Sequence, residues 1–205
     1  MNGIGEGLLL REHAHRVAND MAVASAALRF AECRTGSDPA LSSVIARLEA
    51  TARVQRLLCE GASGRTVDLA DVLTRLCDAM RSAHAAQSVA LDVVAHPLPV
   101  ADGDAWILSM CVHELVGNAL RHGGASGARV RVEAFDGAGT TTVRVLDRGG
   151  MREWSRPGGQ GAAIVDQLAA RLGGRVRRSV DRGGGCVEIA VPTIAVAAAD
   201  ACVEV

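Results

Sequence analysis

The spacing of apolar residues in the first third of the chain predicts two long amphipathic helices. Gly36 and Pro39 mark the end of the first helix and the start of the second, which covers about residues 40–60. Because such a hairpin leaves its apolar stripe half exposed, we expect a second copy of the chain to complete a four-helix bundle. The stripe of the first helix follows a heptad pattern through Leu10, Ala14, Val17, Met21, Ala24, Leu28 and Ala31.

After residue 62 the pattern changes to a mixture of helices and strands. Helical periodicity covers about residues 68–84, 105–121 and 162–172. Asp68 is predicted to cap the first of these helices, because its side chain can accept a hydrogen bond from a free backbone N–H. Alternating apolar residues predict strands near residues 89–93, 130–132, 143–145, 175–180 and 186–191.

The change of pattern predicts an α+β chain with two domains. A helical domain is expected at residues 1–62 and a mixed domain at residues 65–192, joined by the small-residue linker at 61–64. Residues 193–205 form an alanine- and valine-rich tail to which no role is assigned.

The composition restricts the class of function. All 22 basic residues are arginine, 23 residues are acidic and the net charge is −1, whereas nucleic-acid-binding proteins usually carry a basic excess. Aromatic residues form only 2 % of the chain, too few for base-stacking platforms. No apolar stretch is long enough for a membrane segment, no signal peptide is apparent, and the six cysteines lack zinc-binding spacing. We therefore expect a reduced, cytoplasmic protein that binds no nucleic acid.

A polar stripe on the helix around residue 113 is the first candidate for chemistry. Glu114, Asn118 and the pair Arg121 and His122 recur at intervals that place them on one helix face. The carboxamide oxygen of Asn118 suits Mg²⁺, and Arg121 or His122 can contact phosphate oxygens. Glu114 is predicted to be a catalytic residue on the same face. The alternative is an ordinary solvated helix face.

Two glycine-containing segments add to this candidate site. Asp147 ends an apolar strand and Gly149 follows it, so a carboxylate can accept a hydrogen bond from an exocyclic amine while a planar ring approaches the backbone. Gly159 and Gly161 lie in a loop that opens a helix, where backbone N–H groups favour phosphate. Each segment alone is also consistent with a simple turn. Their order on a helix, a strand end and a loop predicts a nucleotide site more strongly.

The first helix carries a candidate nucleophile. His15 lies one residue beyond Ala14 of the heptad stripe, so it is expected to flank the core and remain accessible. Imidazole is nucleophilic near neutral pH, and Glu12 is placed to orient it. A surface histidine without a special role is the alternative.

The chain resembles a histidine kinase core of the subfamily whose phosphoacceptor sequence is His-Arg-x-x-Asn, a relative of the HWE kinases. This resemblance implies a helical dimerisation domain followed by a Bergerat α/β sandwich, the fold of GHKL-type ATPases, which include gyrase-type and chaperone ATPases. The segments that carry it lie at residues 12–21, 46–58, 114–122, 147–149, 159–161 and 172–174.

The resemblance implies an ATP-dependent protein histidine kinase of a two-component phosphorelay. His15 would accept the γ-phosphoryl group of ATP and pass it to an aspartate in the receiver domain of a response regulator. Asn118 would be linked to Mg²⁺, and Asp147 would bind adenine. Asn19 would support dephosphorylation of the receiver, because related kinases carry a polar residue one helical turn after the histidine.

The chain departs from the family at the first glycine segment, where Met151 stands in place of the last glycine. No sensor domain precedes His15, so a separate sensor protein is a further candidate partner. Two other functions stay open. One is a histidine phosphotransferase whose kinase-like body binds ATP weakly or not at all. The other is an anti-sigma-type serine kinase or partner-switching protein, which would not need the hairpin of residues 8–60.

Overall fold

The chain begins with two antiparallel helices, α1 (Gly3–Thr35) and α2 (Pro39–Leu57), in a computed structural model. Gly36, at φ +96°, ends α1 in the left-handed conformation that glycine adopts without strain. Asp38 caps α2 by accepting a hydrogen bond from the backbone N–H of Ala40 at 2.9 Å. The structure describes residues 3–36, 38–57, 65–84, 89–122, 129–148, 161–181 and 184–193, without the side chains of residues 3–15, 35, 121–122 and 181.

The remaining elements form the mixed domain. They are β1 (Thr66–Asp68), α3 (Leu69–Ala83), β2 (Ala90–Ala95), β3 (Pro99–Ala101), α4 (Asp102–His122), β4 (Arg129–Gly137), β5 (Thr140–Asp147), α5 (Gly161–Arg171), β6 (Arg175–Asp181) and β7 (Gly184–Pro192). A five-stranded sheet in the order β2-β4-β5-β7-β6 is the centre of this domain. Its neighbouring strands are antiparallel except β2 and β4, which are parallel. The strands β1 and β3 form a separate antiparallel pair.

The hydrophobic core lies between one face of the sheet and the helices α3, α4 and α5. Alternate residues of the central strands, such as Val132, Val145 and Ile189, are fully buried on this face. The residues between them, such as Arg144 and Glu188, point to the opposite face and form an ion pair across the strands at 2.7 Å. This arrangement of one helical layer on one sheet confirms the predicted α/β sandwich.

Local signals predicted most elements correctly. Asp68 caps α3 and accepts a hydrogen bond from the backbone N–H of Ala70 at 3.0 Å, as predicted. The turn between β4 and β5 consists of Ala138 and Gly139, both at positive φ, which matches the twist of a two-residue hairpin. The short strands β1 and β3 were not predicted, because three residues carry no recognisable alternation.

The contact face of the hairpin differs in part from the heptad stripe. Among the described side chains of α1, residues 16–34, the buried positions within one chain are Ala18 and Ser25, each one residue beyond a stripe position. Ala24 and Ala31 of the stripe are exposed. The two helices are also joined at their surface, where the Arg29 guanidinium donates to both carboxylate oxygens of Glu49 at 2.7 and 2.8 Å. Part of the stripe is therefore left outside the hairpin's own core.

The helical hairpin also packs against the mixed domain. Val54 of α2 is only 3 % exposed and belongs to the same apolar cluster as Ala79 and Met80 of α3. The predicted linker residues 61–64 lie outside the described residues. None of the helices in the described ranges is long and apolar enough to cross a membrane.

Candidate nucleotide and phosphoacceptor site

The polar stripe of α4 forms one wall of the candidate nucleotide site. Glu114 and Asn118 lie one turn apart and are both half-buried. The Nδ2 group of Asn118 donates a hydrogen bond to Oε1 of Glu114 at 3.1 Å. An amide nitrogen does not bind metal ions, so Oδ1 is the atom of the Asn118 side chain that can bind one. Glu114 therefore orients the amide of Asn118.

The beginning of α5 lies directly against this wall. A β-carbon built on Gly161, the first residue of α5, would overlap Oε1 of Glu114 and lie 3.1 Å from Nδ2 of Asn118. With glycine at this position, the helix start approaches the carboxylate of Glu114 without displacing it. The structure thus brings together two of the predicted segments, and it points the positive end of an 11-residue helix toward the α4 stripe.

Asp147 lies at the end of β5 and is completely buried. Its Oδ2 atom has no hydrogen-bond partner within the described part of the chain, although the residue makes other interactions. A buried carboxylate oxygen is costly without a donor, and the exocyclic amine of adenine is one donor of the right kind. The burial and the chemistry of Asp147 therefore fit the predicted adenine contact.

Gly184, at the start of β7, was not predicted to belong to the site. Its φ of +130° is accessible to glycine alone among common residues, and a β-carbon there would overlap the backbone carbonyl oxygen of Asp147. A weak signal for it is the run of three glycines at positions 183–185, between two predicted strands.

The other predicted site residues are described less completely. Arg121 and His122 are the last residues of α4, on the turn that follows Asn118, and their side chains are outside the description. Gly149 and Gly159 lie outside the described residues. These four residues stay predictions.

The predicted phosphoacceptor lies in the first half of α1. His15 and Glu12 are helical, which places their backbones one turn apart, and their side chains are outside the description. Asn19 follows on the next turn and is exposed. Its Cα atom is about 6 Å along the helix axis from that of His15. The helical offset thus allows a partner protein to contact both positions on one face.

Neither Cys77 nor Cys111 is suited to nucleophilic or metal-binding chemistry. Burial raises the pKa of each thiol to about 12, so both remain protonated at neutral pH. Among the described residues, no group of three or more His, Cys, Asp or Glu side chains is placed to hold a metal ion.

Comparison with known families matches both halves of the chain. Residues 12–84 match the family described as Histidine kinase. Residues 103–195 match the family described as Histidine kinase-, DNA gyrase B-, and HSP90-like ATPase. The first match extends past the predicted linker at residues 61–64, and the domain bounds stay a prediction. No curated protein matches the chain.

Solved structures show the same fold. The histidine kinase domain of a blue-light-activated histidine kinase from Erythrobacter litoralis is 22 % identical with a TM-score of 0.60, over 92 % of this chain and 94 % of that one. A longer chain of the same kinase gives 22 % identity and a TM-score of 0.61, over 90 % of this chain and 60 % of that one. A bacterial phosphotransferase is 11 % identical with a TM-score of 0.64, over 92 % and 97 % of the two chains.

Proposed function

Since the chain belongs to the histidine kinase family, the ATP-dependent phosphotransferases of two-component systems, we propose that it transfers the γ-phosphoryl group of ATP to His15. The close approach of Gly161 to Glu114 and Asn118 is the observation that carries this proposal. This approach places the amide oxygen of Asn118, the carboxylate that orients it and the start of α5 next to one another. These are groups that bind the metal ion and the phosphates of a nucleoside triphosphate.

We assign the parts of the nucleotide site as follows. Asp147 accepts a hydrogen bond from the adenine amine, and its burial excludes water from that contact. The start of α5 receives the phosphates, together with Arg121 and His122 at the end of α4. Oδ1 of Asn118 would hold Mg²⁺, which would neutralise charge on the phosphate oxygens. Glu114 acts as a positioning residue because it holds the Asn118 amide.

The phosphoryl transfer itself follows from the chemistry of imidazole. A ring nitrogen of His15 forms a bond to the γ-phosphorus while the bond from that phosphorus to the bridging oxygen of ADP breaks. Glu12, one turn before His15, fixes the ring by accepting a hydrogen bond from its other nitrogen. A receiver-domain aspartate of a response regulator then takes the phosphoryl group. We propose a phosphorelay of this kind, located in the cytoplasm, as the setting.

We also propose that two copies of the chain pair through the helical hairpin. Val23 and Phe30 of α1 are 70 % and 66 % exposed, and Val44 of α2 is 51 % exposed. These apolar side chains extend a stripe that a single hairpin does not cover. Burying them against a second copy would stabilise the dimer, because each Å² of apolar surface removed from water contributes about 25 cal/mol of free energy.

The experiment that tests the kinase assignment uses the whole chain in two steps. Nucleotide binding is titrated with ATP and Mg²⁺, and autophosphorylation is then measured with γ-labelled ATP. Asn118→Asp places a second negative charge beside Glu114, and Asp147→Asn removes the carboxylate, so each variant should lose both signals. Wild-type binding and labelling in both variants would contradict the site assignment. If the wild type binds no nucleotide but accepts phosphoryl groups from a phosphorylated receiver, the chain is a histidine phosphotransferase instead.

A further inference from the structure

A cavity of about 410 Å³ lies where the helical hairpin meets the mixed domain, away from the nucleotide site. One wall comes from the last turns of α2 and the other from α3, and Leu57 and Ala79 provide its apolar surface. The volume falls in the range that binds small organic molecules. Its polar wall consists of Arg53, Arg56, Arg75, Asp78 and Ser82.

The charges in this cavity are unbalanced. Among the described residues, its lining holds three arginines and one carboxylate, that of Asp78. That carboxylate is already hydrogen-bonded by Arg81, whose Nη1 group lies 2.5 Å from its Oδ1 atom. Glu49 lies outside this lining and accepts a hydrogen bond from Arg29 of α1. That hydrogen bond is the main cause that lowers the pKa of Glu49, and the charge of Arg53 lowers it further. The described lining therefore has more guanidinium groups than carboxylates.

The chemistry of the lining selects the kind of ligand. Guanidinium groups present planar pairs of N–H donors that match phosphate oxygens, and Ser82 adds a hydroxyl donor. Three such groups around one cavity suit a ligand with more than one anionic group, and the apolar surface beside them suits a small organic part. The volume is several times larger than a single phosphate ion requires.

We propose that this cavity binds a small phosphate-bearing polyanion that ties the helical hairpin to the ATPase domain. The ligand would contact Arg53 and Arg56 from one side and Arg75 from the other, and thereby bridge α2 and α3. The buried contact of Val54 with the α3 cluster already joins these helices, so a bound anion would strengthen an existing junction. An effect of the bound anion on kinase activity rests on the proposed function, because phosphoryl transfer requires His15 of the hairpin to reach ATP in the mixed domain. The binding itself does not.

Inorganic pyrophosphate, titrated calorimetrically into the full chain without Mg²⁺ or nucleotide, tests the proposal. We expect one bound pyrophosphate, and a loss of affinity of about tenfold or more in Arg53→Gln and in Arg75→Gln, since each removes a charge-assisted hydrogen bond. Arg47→Gln is the matched control, because Arg47 is an exposed arginine of α2 outside the cavity, and its affinity should stay within about twofold. Pyrophosphate should also slow hydrogen exchange in α2 and α3 of the wild type and not in Arg53→Gln.

Three results would overturn the proposal. The first is that the wild type does not bind pyrophosphate. The second is that Arg53→Gln and Arg75→Gln bind it as tightly as the wild type does. The third is that citrate binds as tightly as pyrophosphate, which would show no preference for phosphate groups. Asn118→Asp separates this site from the nucleotide site, because it should abolish ATP binding and leave pyrophosphate binding intact. If Asn118→Asp abolishes both, the pyrophosphate occupies the nucleotide site and the cavity site is refuted. If the wild type binds pyrophosphate but no ATP, the cavity site stands and the kinase proposal fails.

Discussion

A β-carbon on Gly184 would overlap the backbone carbonyl oxygen of Asp147 and would lie 2.9 Å from its carbonyl carbon. The start of β7 therefore packs closely against the end of β5, where Asp147 carries the carboxylate that is predicted to bind adenine. Because the obstacle is backbone, it cannot move aside as a flexible side chain can. The geometry at Asp147 thus depends on a glycine in a neighbouring strand.

The first prediction concerns this contact. Gly184→Ala should lower the free energy of unfolding by about 1–3 kcal/mol, because the substitution adds a clash and a strained φ of +130°. Nucleotide affinity should fall as well, since Asp147 must shift. Urea unfolding followed by an ATP titration measures both effects. Gly137→Ala is the control, because a β-carbon at Gly137 meets no atom within 4 Å. Equal losses in the two variants would refute the role of the contact.

The second prediction concerns the helix start at Gly161. Gly161→Ala should push the carboxylate of Glu114 away and disturb Asn118, with a loss of ATP affinity of about tenfold. In a Glu114→Ala background the same substitution should cost less, because the atom that it meets is gone. A double-mutant cycle on ATP affinity measures this coupling, which we expect to exceed about 0.5 kcal/mol. Additive effects would show that Gly161 does not act through Glu114.

These two contacts show what the sequence can and cannot predict. The cap at Asp68 was predictable because capping depends on residues two positions apart. The order of Glu114, Asn118, Asp147 and Gly161 along the chain also predicted a nucleotide site. The packing of Gly184 on Asp147 was not predictable, because the pairing of β5 with β7 joins residues far apart in the sequence.

The helical domain gives a second example. Periodicity predicted both helices, yet Ala18 and Ser25 are buried in one chain, whereas Ala24 of the heptad stripe is exposed. An apolar stripe in the sequence indicates which helix face is buried, but it does not specify which neighbouring element packs against that face. In this chain α2 meets both α1 and α3, and Val54 belongs to the apolar cluster of the mixed domain.

The third prediction concerns dimerisation. Phe30→Glu should convert a dimer into a monomer, because a charge at a buried interface costs several kcal/mol, or more than a hundredfold in dissociation constant. Light scattering on the full chain at micromolar concentration measures the mass. Val94→Glu is the control, since Val94 is 50 % exposed on β2 and lies outside the hairpin. A monomeric wild type, or a Phe30→Glu variant that remains dimeric, would contradict the proposed interface.

The fourth prediction distinguishes the two histidines of α1. Position 13 lies about 200° around the helix from position 15, so one approach of the ATPase domain cannot serve both. His15→Ala should abolish acid-labile, base-stable labelling, and His13→Ala should retain it. Label that persists in His15→Ala and disappears in His13→Ala would reverse the assignment.

The last prediction concerns Asn19, which is exposed one helical turn after His15. We propose that the Asn19 carboxamide orients a water molecule in line with the aspartyl phosphate of a receiver domain that docks on α1. Asn19→Ala should therefore retain phosphorylation of His15 and slow dephosphorylation of the receiver by about tenfold or more. Loss of helix stability cannot explain such a result, because alanine is the better helix former.

Asn19→Gln supplies the matched control, because it keeps the amide and moves it by one methylene. A displaced amide should support an intermediate rate, whereas a merely structural role would leave both variants like the wild type. Receiver dephosphorylation is measured with prephosphorylated receiver at matched docking affinity, so that weaker binding is not mistaken for slower chemistry. Equal rates for the wild type and Asn19→Ala would mean that Asn19 only solvates the helix, as asparagine often does on exposed faces.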